Sequence, residues 1–543
     1  MIRKPLLVLV ALFVLLIASV FAAEWWLERH FAELINSLPD REQEITFSDI
    51  DFHPFFKGID LADVQVTPLA GQSSGGSVSA TMHHARISGL KWRNLVFSKE
   101  LSIEEIVFQD PEIRIHYGQV DTAGQQPRRA IQGLFRDILS RGRINNFSIT
   151  NGNVITTTMR PDTVEIGRVH RLELNAQGIV TDSVRWQYLV PFETKSFTFT
   201  IDSLWSHENE DVLIRTGAIR FDEHLGSFSI RNVEQRLRRS WVKVSKAVGH
   251  QTDIIAFTVD SVSITGMAPL SNADGTVDLR AKKVWVEGLD LHDHRNKNLP
   301  RGLDKEMPMF QGMMASIPIV VDVDSIVIHD ASLSYAELLP GRAKAGSLRF
   351  TQLNGTIVDL TTLPQRQVER GALRMKLSTK LNGGTLMQVE LTVPYDRDAF
   401  QLTARMREMD LKDLNSTLGP MTGVEIRTGD LHRLELTMHA EPTYSMNRLV
   451  FDYTDLQFNV LDEKAAHARE SNKFLSVLAG SLARKDNMPN TKRYKVAEYR
   501  SPRNRHRGPF NFMWTSVKEG IAKIVPSRTA RALMKPKAKK NKK

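Results

Sequence analysis

Apolar and polar residues alternate with a period of two along most of the chain. Examples are Phe197-x-Phe199-x-Ile201, Leu373-x-Met375-x-Leu377, Met387-x-Val389-x-Leu391-x-Val393, Phe400-x-Leu402-x-Ala404-x-Met406 and Leu434-x-Leu436-x-Met438. The intervening positions are mostly Ser, Thr, Arg, Lys, Glu and Gln. Such alternation predicts strands with one face covered and one wet. Asn382-Gly383-Gly384 and Asn354-Gly355 break the runs and predict hairpin turns, because Asn and Gly tolerate positive φ. No strand–helix alternation and no Gly-rich phosphate loop occurs, which argues against a nucleotide-binding α/β fold.

A weak repeat of the form Φ-x-Φ-x-(Asp/Asn)-(Pro/Gly/Ala)-x-Φ-x-Φ runs through the alternation. Its copies are Ile106–Ile115 around Asp110-Pro111, Phe147–Thr156 around Asn151-Gly152, and Ile326–Tyr335 around Asp330-Ala331. Each copy predicts two short strands about a tight turn, and recurrence of one unit predicts an extended, repetitive sheet. Helical spacing is confined to short pieces: Ala130–Ser140, Met307–Ile317, Val233 to Val248, and a C-terminal segment from Trp514 to Ile524. The Val233–Val248 stripe reads as a helix covering a sheet edge, with a membrane-surface helix as the rival.

The N-terminus departs from this pattern. Pro5–Ala23 is apolar apart from Ser19, follows Arg3 and Lys4, and precedes Trp25-Trp26. Nineteen such residues nearly match the ~20 that cross a bilayer as a helix. The basic residues before the run place the body on the far side, and the tryptophans suit the membrane interface. A cleaved signal peptide is the rival reading, since Val20-Phe21-Ala22 resembles a small-x-small cleavage site.

Composition narrows the function. The 543 residues contain no cysteine, which excludes disulfides, thiolate metal sites and Cys nucleophiles. The net charge of +10 is misleading: residues 484–543 hold 19 Lys/Arg against 3 Asp/Glu, a local +16, which leaves the rest at −6. The basic C-terminal tail is read either as a partner for anionic headgroups or as a solvated tail. No HExxH or DxDxDG pattern occurs; the letters of GxSxG at Gly71–Gly75 fall in a Gly/Ser stretch read as a flexible loop tip, and those of SxxK at Ser240–Lys243 fall in the Val233–Val248 stripe. His292-Asp293-His294 offers two imidazoles on one face but no third ligand nearby in sequence, and adjacent His83-His84 would face opposite ways on a strand. The chain is expected to be non-catalytic, without cofactor, metal or nucleic-acid partner.

The order of these elements, with the segments LSIEEIVFQDPEIRIHY (101–117), INNFSITNGNV (144–154), DSIVIHDASLSYAE (324–337) and the closing PFNFMWTSVKEGI (509–521), resembles the AsmA-like family of bacterial envelope proteins, with its TamB- and YhdP-type relatives. The resemblance is one of pattern and order over most of residues 1–525, and the basic tail beyond it is unlike the family. It implies a single-pass inner-membrane protein with a mainly β periplasmic body: an elongated antiparallel sheet curled into an apolar groove, with a few short covering helices. The expected divisions are an anchor (1–27), a first β-rich half (28–290), a polar linker (291–310), a second β-rich half (311–483), and a basic segment (484–543) with an amphipathic helix at about 510–525 and a disordered Lys-rich tail. The implied function is phospholipid handling for envelope biogenesis or outer-membrane lipid homeostasis. The alternative is a non-catalytic scaffold for outer-membrane assembly. Implied partners are phospholipid, the inner membrane, and outer-membrane or periplasmic proteins. Groove candidates are Phe147, Ile149, Ile326, Ile328, Leu333, Tyr335, Leu373, Met375 and Leu377. Membrane-surface candidates are Trp25, Trp26, Arg503, Arg505, Arg507 and Trp514. On alternation alone a packed sandwich is the favoured reading of the apolar face; the anchor, the repeat and the resemblance reverse that in favour of the groove.

Overall fold

The alternating runs named above all become strands, because period-two burial suits only an extended chain. The computed structural model describes residues 43–53, 58–69, 76–89, 101–117, 142–160, 162–180, 194–268, 278–301, 306–460 and 483–526, with Lys91 and scattered positions between 18 and 36. The chain is mainly β, with 63% strand. The strands are β1 (Gln43–Thr46), β2 (Asp49–His53), β3 (Gly58–Pro68), β4 (Gly76–Ser88), β5 (Leu101–Gln109), β6 (Glu112–Tyr117), β7 (Gly142–Arg160), β8 (Asp162–Val180), β9 (Ser196–His207), β10 (Val212–Thr216), β11 (Ile219–Asp222) and β12 (Ser227–Leu237). After helix α1 (Trp241–Val248) come β13 (Asp253–Thr265), β14 (Asp278–Glu287), β15 (Asp290–Asn296), α2 (Phe310–Ala315), β16 (Val320–Leu338), β17 (Gly346–Thr361), α3 (Pro364–Arg370) and β18 (Ala372–Leu381). The chain continues through β19 (Thr385–Pro394), β20 (Phe400–Met406), β21 (Met409–Asp410), α4 (Asn415–Thr422), β22 (Val424–Ala440), β23 (Tyr444–Val460), β24 (Ala497–Pro502) and α5 (Pro509–Ile524).

Two compact units divide the chain. The first takes its described residues from Met1–Glu208 and Ile214–Arg231, the second from Asn209–Leu213, Asn232–Ala268 and Asp278–Lys543. The expected boundary at 291–310 is therefore displaced. Residues 290–296 are strand β15, hydrogen-bonded between β13 and β16. This strand escapes a hydropathy reading because both of its faces carry polar residues.

The same connectivity occurs in both units. In the first, β4 runs antiparallel to β5 and to β6, both of which run parallel to β7, and β7 pairs antiparallel with β8. In the second, β13 runs antiparallel to β14 and β15, both parallel to β16, and β16 pairs antiparallel with β17. The sheets are thus mixed, which corrects the all-antiparallel expectation. Parallel neighbours need a long crossover. Residues 118–141 and 297–319 occupy those places in sequence, and α2 lies in the second.

The repeat has a different cause from the one expected. Asp110, Asn151 and Asp330 sit at φ +50°, +56° and +45°. The chain does not reverse at any of them. Asn151 and Asp330 lie inside the single 19-residue strands β7 and β16, and Asp110 separates β5 from β6, which keep the same two neighbours. At Asn151 and Asp330 the pairing with β8 and β17 shifts register, as at a β-bulge, whereas the pairing of β5 and β6 with β4 and β7 runs past Asp110 without a shift; at all three an Asp or Asn takes the left-handed conformation with less strain than a branched residue. Apolar residues on either side are five apart, as in Ile328 and Leu333. The extra residue at the bulge returns Leu333 to the face of Ile328: Leu333 pairs with Phe350 and Phe350 with Leu381, which is in phase with Leu377 along β18. Asn382-Gly383 does turn a hairpin between β18 and β19, with φ +48° and +75°. Asn354-Gly355 does not, because both residues lie within β17. A Cβ at Gly355 would strike the carbonyl of Lys376 and come 2.5 Å from Leu377 Cδ2, so Gly serves close strand approach there.

The first unit builds its core on one face, where Leu61, Ala85, Phe108, Ile149, Leu174 and Phe199 pair in register across β3, β4, β5, β7, β8 and β9. Phe147 packs edge-on against Phe108 at 5.4 Å, and Phe197, Phe199 and Phe221 form an aromatic cluster. Among the described residues no helix is long and apolar enough to cross a membrane. The run 5–23 falls largely outside the described residues, and the stripe 130–140 and the tail beyond 526 fall wholly outside them. Helix α1 is shorter than its stripe, since Val233 and Leu237 belong to β12. It packs on the sheet: Trp241 stacks on His294 at 5.0 Å, and Ser245 Oγ accepts from Asn296 Nδ2 at 3.0 Å.

Candidate functional site

Cross-strand register in the second unit aligns apolar residues into rows. One row is Val284, Ile326, Ile357, Met375, Leu391, Leu402 and Met438, on β14, β16, β17, β18, β19, β20 and β22. The neighbouring row is Val286, Ile328, Gly355, Leu377, Val389, Ala404, Leu436 and Leu449. The opposite face carries Trp285, Val327, Thr356, Lys376, Glu390 and Thr403 in matching register. Pairing thus extends a local alternation into a face several strands wide with sharply different sides.

Burial along these rows is uneven. Val284, Ile326, Ile357 and Met375 are half-buried, as are Val286, Ile328, Leu377 and Val389. Leu391, Leu402, Met438, Leu436 and Leu449 are buried. The change coincides with two helices. Helix α2 brings Phe310 edge-on to Phe400 at 5.2 Å. Helix α5 lies on β23 and β24, with Phe512, Ser516, Gly520 and Ile524 buried. Tyr499 donates to the Ser516 carbonyl at 2.6 Å, and Ser501 Oγ donates to Glu519 at 2.6 Å. The helix begins at Pro509, a residue suited to a first turn, and stops before Pro526. It matches the segment predicted at 510–525 and packs against the sheet.

The sequence candidates fall out as follows. Ile326, Ile328, Leu333, Tyr335, Leu373, Met375 and Leu377 share the apolar face. Phe147 and Ile149 are buried in the first unit's core. Trp25 and Trp26 are exposed at 56% and 50%. Trp514 is 40% exposed. Arg503 donates to the carbonyls of Pro442 (3.2 Å) and Met307, and Arg505 pairs with Glu306 at 2.7 Å. Those two arginines tie the C-terminal segment to the chain before α2, while Arg507 remains half-buried beside them.

The apolar face ends in a polar rim that the sequence did not reveal. Beyond the row Phe257–Leu291–Leu333–Phe350–Leu381 come Ile255–Asp293–Tyr335–Leu348 and then Asp253–Arg295–Glu337–Gly346. Arg295 makes a two-pronged pair with Asp253 at 2.6 and 2.7 Å. Glu337 receives Lys297 at 2.6 Å and the Tyr335 hydroxyl at 2.8 Å. Burial, reinforced by Glu337, pushes the Tyr335 phenol far above its ordinary range. Asp293 Oδ1 is buried with no hydrogen-bond partner among the described residues. Burial and then the Asp253 charge raise the Asp293 carboxyl to about 6, against the pull of Arg295. His292 and His294 lie on the other side of β15, where His292 pairs with Asp290 at 3.2 Å. Among the described residues no group of three His, Asp or Glu is placed to hold a metal ion.

The Asp293 geometry predicts a pH effect. Its folded-state pKa lies above the unfolded one, so the fold binds more proton between about pH 4 and pH 6 and loses stability as pH rises through that window. Asp293→Asn removes the loss. The variant is expected to match the parent near pH 4 and to exceed it by about 1–2 kcal/mol at pH 8, the full shift being trimmed by water at this half-buried site. Urea midpoints at the two pH values measure this, and equal midpoints at pH 8 would refute it.

The chain matches no protein-family model, no curated protein and no solved structure.

Proposed function

We propose that this protein is an inner-membrane-anchored periplasmic protein of the AsmA-like type, which handles phospholipid on a hydrophobic β-groove in envelope biogenesis or outer-membrane lipid homeostasis. The observation that carries the reading is the half-buried stretch of the apolar rows, Ile326, Ile328, Ile357, Met375 and Leu377, opposite a polar face. An acyl chain exposed to water costs about 0.8 kcal/mol per CH₂. A continuous apolar track with wet edges removes that cost along its length and requires no bond to be made or broken. The apolar N-terminal run supplies the anchor, and Arg3 and Lys4 set the orientation.

The test is photo-crosslinking in intact membranes. Crosslinkers at Ile326, Met375 and Leu377 are expected to capture phospholipid, detected by mass spectrometry. Crosslinkers at Val327, Arg374 and Lys376 are expected to capture none. Equal capture from both faces, or none from either, would remove the lipid track and leave the membrane-anchored scaffold as the better account.

A further inference from the structure

Helix α5 carries two stripes along its length. The first, Phe512, Ser516, Gly520 and Ile524, is buried where the helix lies on β23 and β24. The second, Phe510, Trp514, Val517 and Ile521, repeats with the spacing of a helix face and is wholly apolar. A helix that only covers a sheet needs one such stripe. The second is left partly in water: Phe510 is 68% exposed and Trp514 40%, while Val517 and Ile521 are half-buried.

Helix α2 widens this surface. Phe310 meets Phe510 edge-on at 5.6 Å. Met313, one turn on from Phe310, is exposed. Met307 is exposed beside the same segment, its N–H donating to the Arg505 carbonyl at 2.8 Å. Single exposed apolar residues are ordinary, but a group joined across two elements marks a surface that something covers.

The charge around it says what does. Lys518 stands one turn from Trp514, its ammonium 5.8 Å from the ring. The one acid of α5, Glu519, already accepts from the Ser501 hydroxyl at 2.6 Å. Beyond the helix, residues 527–543 hold eight Lys/Arg and no Asp/Glu. Rings with one apolar and one wet side suit the boundary of a bilayer. Basic residues near an anionic leaflet contribute about 1 kcal/mol each. Apolar insertion or basic attraction alone binds a membrane only marginally, and stable binding takes both. The end of this chain supplies both at adjoining positions.

We infer that the Phe510–Trp514 stripe of α5, with Met307 and Met313 beside it, docks on the surface of an anionic phospholipid bilayer, its rings in the interface and the basic residues that follow α5 against the headgroups. The docking needs no lipid on the apolar rows, so it stands apart from the reading of those rows as a track. Phe310 also touches Phe400, which sets the docked surface beside the place where the rows pass from half-buried to buried.

The test holds the full-length protein in neutral phosphatidylcholine nanodiscs, immobilised through an N-terminal tag, and passes vesicles over it. Vesicles of phosphatidylcholine mixed equally with phosphatidylglycerol are expected to be captured at least about tenfold better than vesicles of phosphatidylcholine alone, and less well as salt is raised. The variant Phe510→Ser/Trp514→Ser is expected to lose about tenfold in capture of the mixed vesicles. Leu225→Ser removes an equally exposed apolar residue from the turn between β11 and β12, and is expected to capture them as the parent does. Unfolding midpoints identify any variant that fails to fold; for such a variant Phe510→Tyr/Trp514→Tyr, which keeps interfacial rings, is compared with Phe510→Gln/Trp514→Gln. Parent-like capture by a folded variant without the rings would overturn the stripe and leave the basic residues alone as the membrane contact. Equal capture of both vesicles would overturn the anionic preference. No capture of either would overturn the docking and assign the stripe to a protein partner.

Discussion

Phe400→Ala is expected to destabilise the protein by about 3–5 kcal/mol, whereas Met375→Ala, on the same sheet face, is expected to cost about 1 kcal/mol. The difference comes from what lies above each residue. Phe400 is 1% exposed and touches Phe310 of α2 edge-on at 5.2 Å and Phe512 of α5 at 6.4 Å. Truncation there leaves a cavity bounded by three elements, none of which can collapse into it alone. Met375 is only half-buried, so its loss removes contact area without opening an enclosed void. Denaturant midpoints at unchanged slope measure both. Equal losses would mean that the apparently open part of the face is packed in solution, as a sandwich requires.

The second large effect concerns Gly520. Gly in the middle of a helix usually costs about 0.5–1 kcal/mol relative to Ala, so a substitution there should stabilise on propensity alone. The packing reverses the sign. A Cβ at residue 520 would strike the Tyr499 hydroxyl and come 2.6 Å from Leu449 Cδ2. Tyr499 is buried and held by its hydrogen bond to the Ser516 carbonyl, and Leu449 is fully buried. Gly520→Val is therefore expected to lift α5 off β23 and β24 and to cost about 1–3 kcal/mol, the usual range for overpacking. Faster tryptic cleavage after Lys518 and Lys523 should accompany the loss. A raised unfolding midpoint with unchanged cleavage would show that the helix does not lie where the structure puts it.

The strands were legible because the signal is local: Leu373, Met375 and Leu377 announce their common face with no knowledge of neighbours. Helix α5 was legible for the same reason. The parallel pairing of β14 with β16 was not, since residues 42 apart meet only through a crossover. Asn151-Gly152 and Asp330-Ala331 read as turns because a turn and a bulge use the same positive φ, and only the partners on either side tell them apart. The β15 strand was hidden for a different reason. Asp293 and Arg295 face the rim while His294 lies under Trp241, so neither side looked apolar. Gly520 was readable only as a weak helix residue, because Tyr499 reaches it from 21 positions away.

The bulge at Asp330 also determines which length changes β16 can accept. Loss of Asp330 alone would remove the bulge and leave Ile328 and Leu333 four residues apart, so a regular strand would keep both on the apolar side. Loss of Asp330 with one neighbour would leave them three apart and turn the distal half-strand over, sending Leu333 and Tyr335 to the wet side and bringing Ser332 and Ser334 onto the apolar one. At this position two-codon deletions should therefore be selected against more severely than the one-codon deletion, and the same rule applies at Asn151.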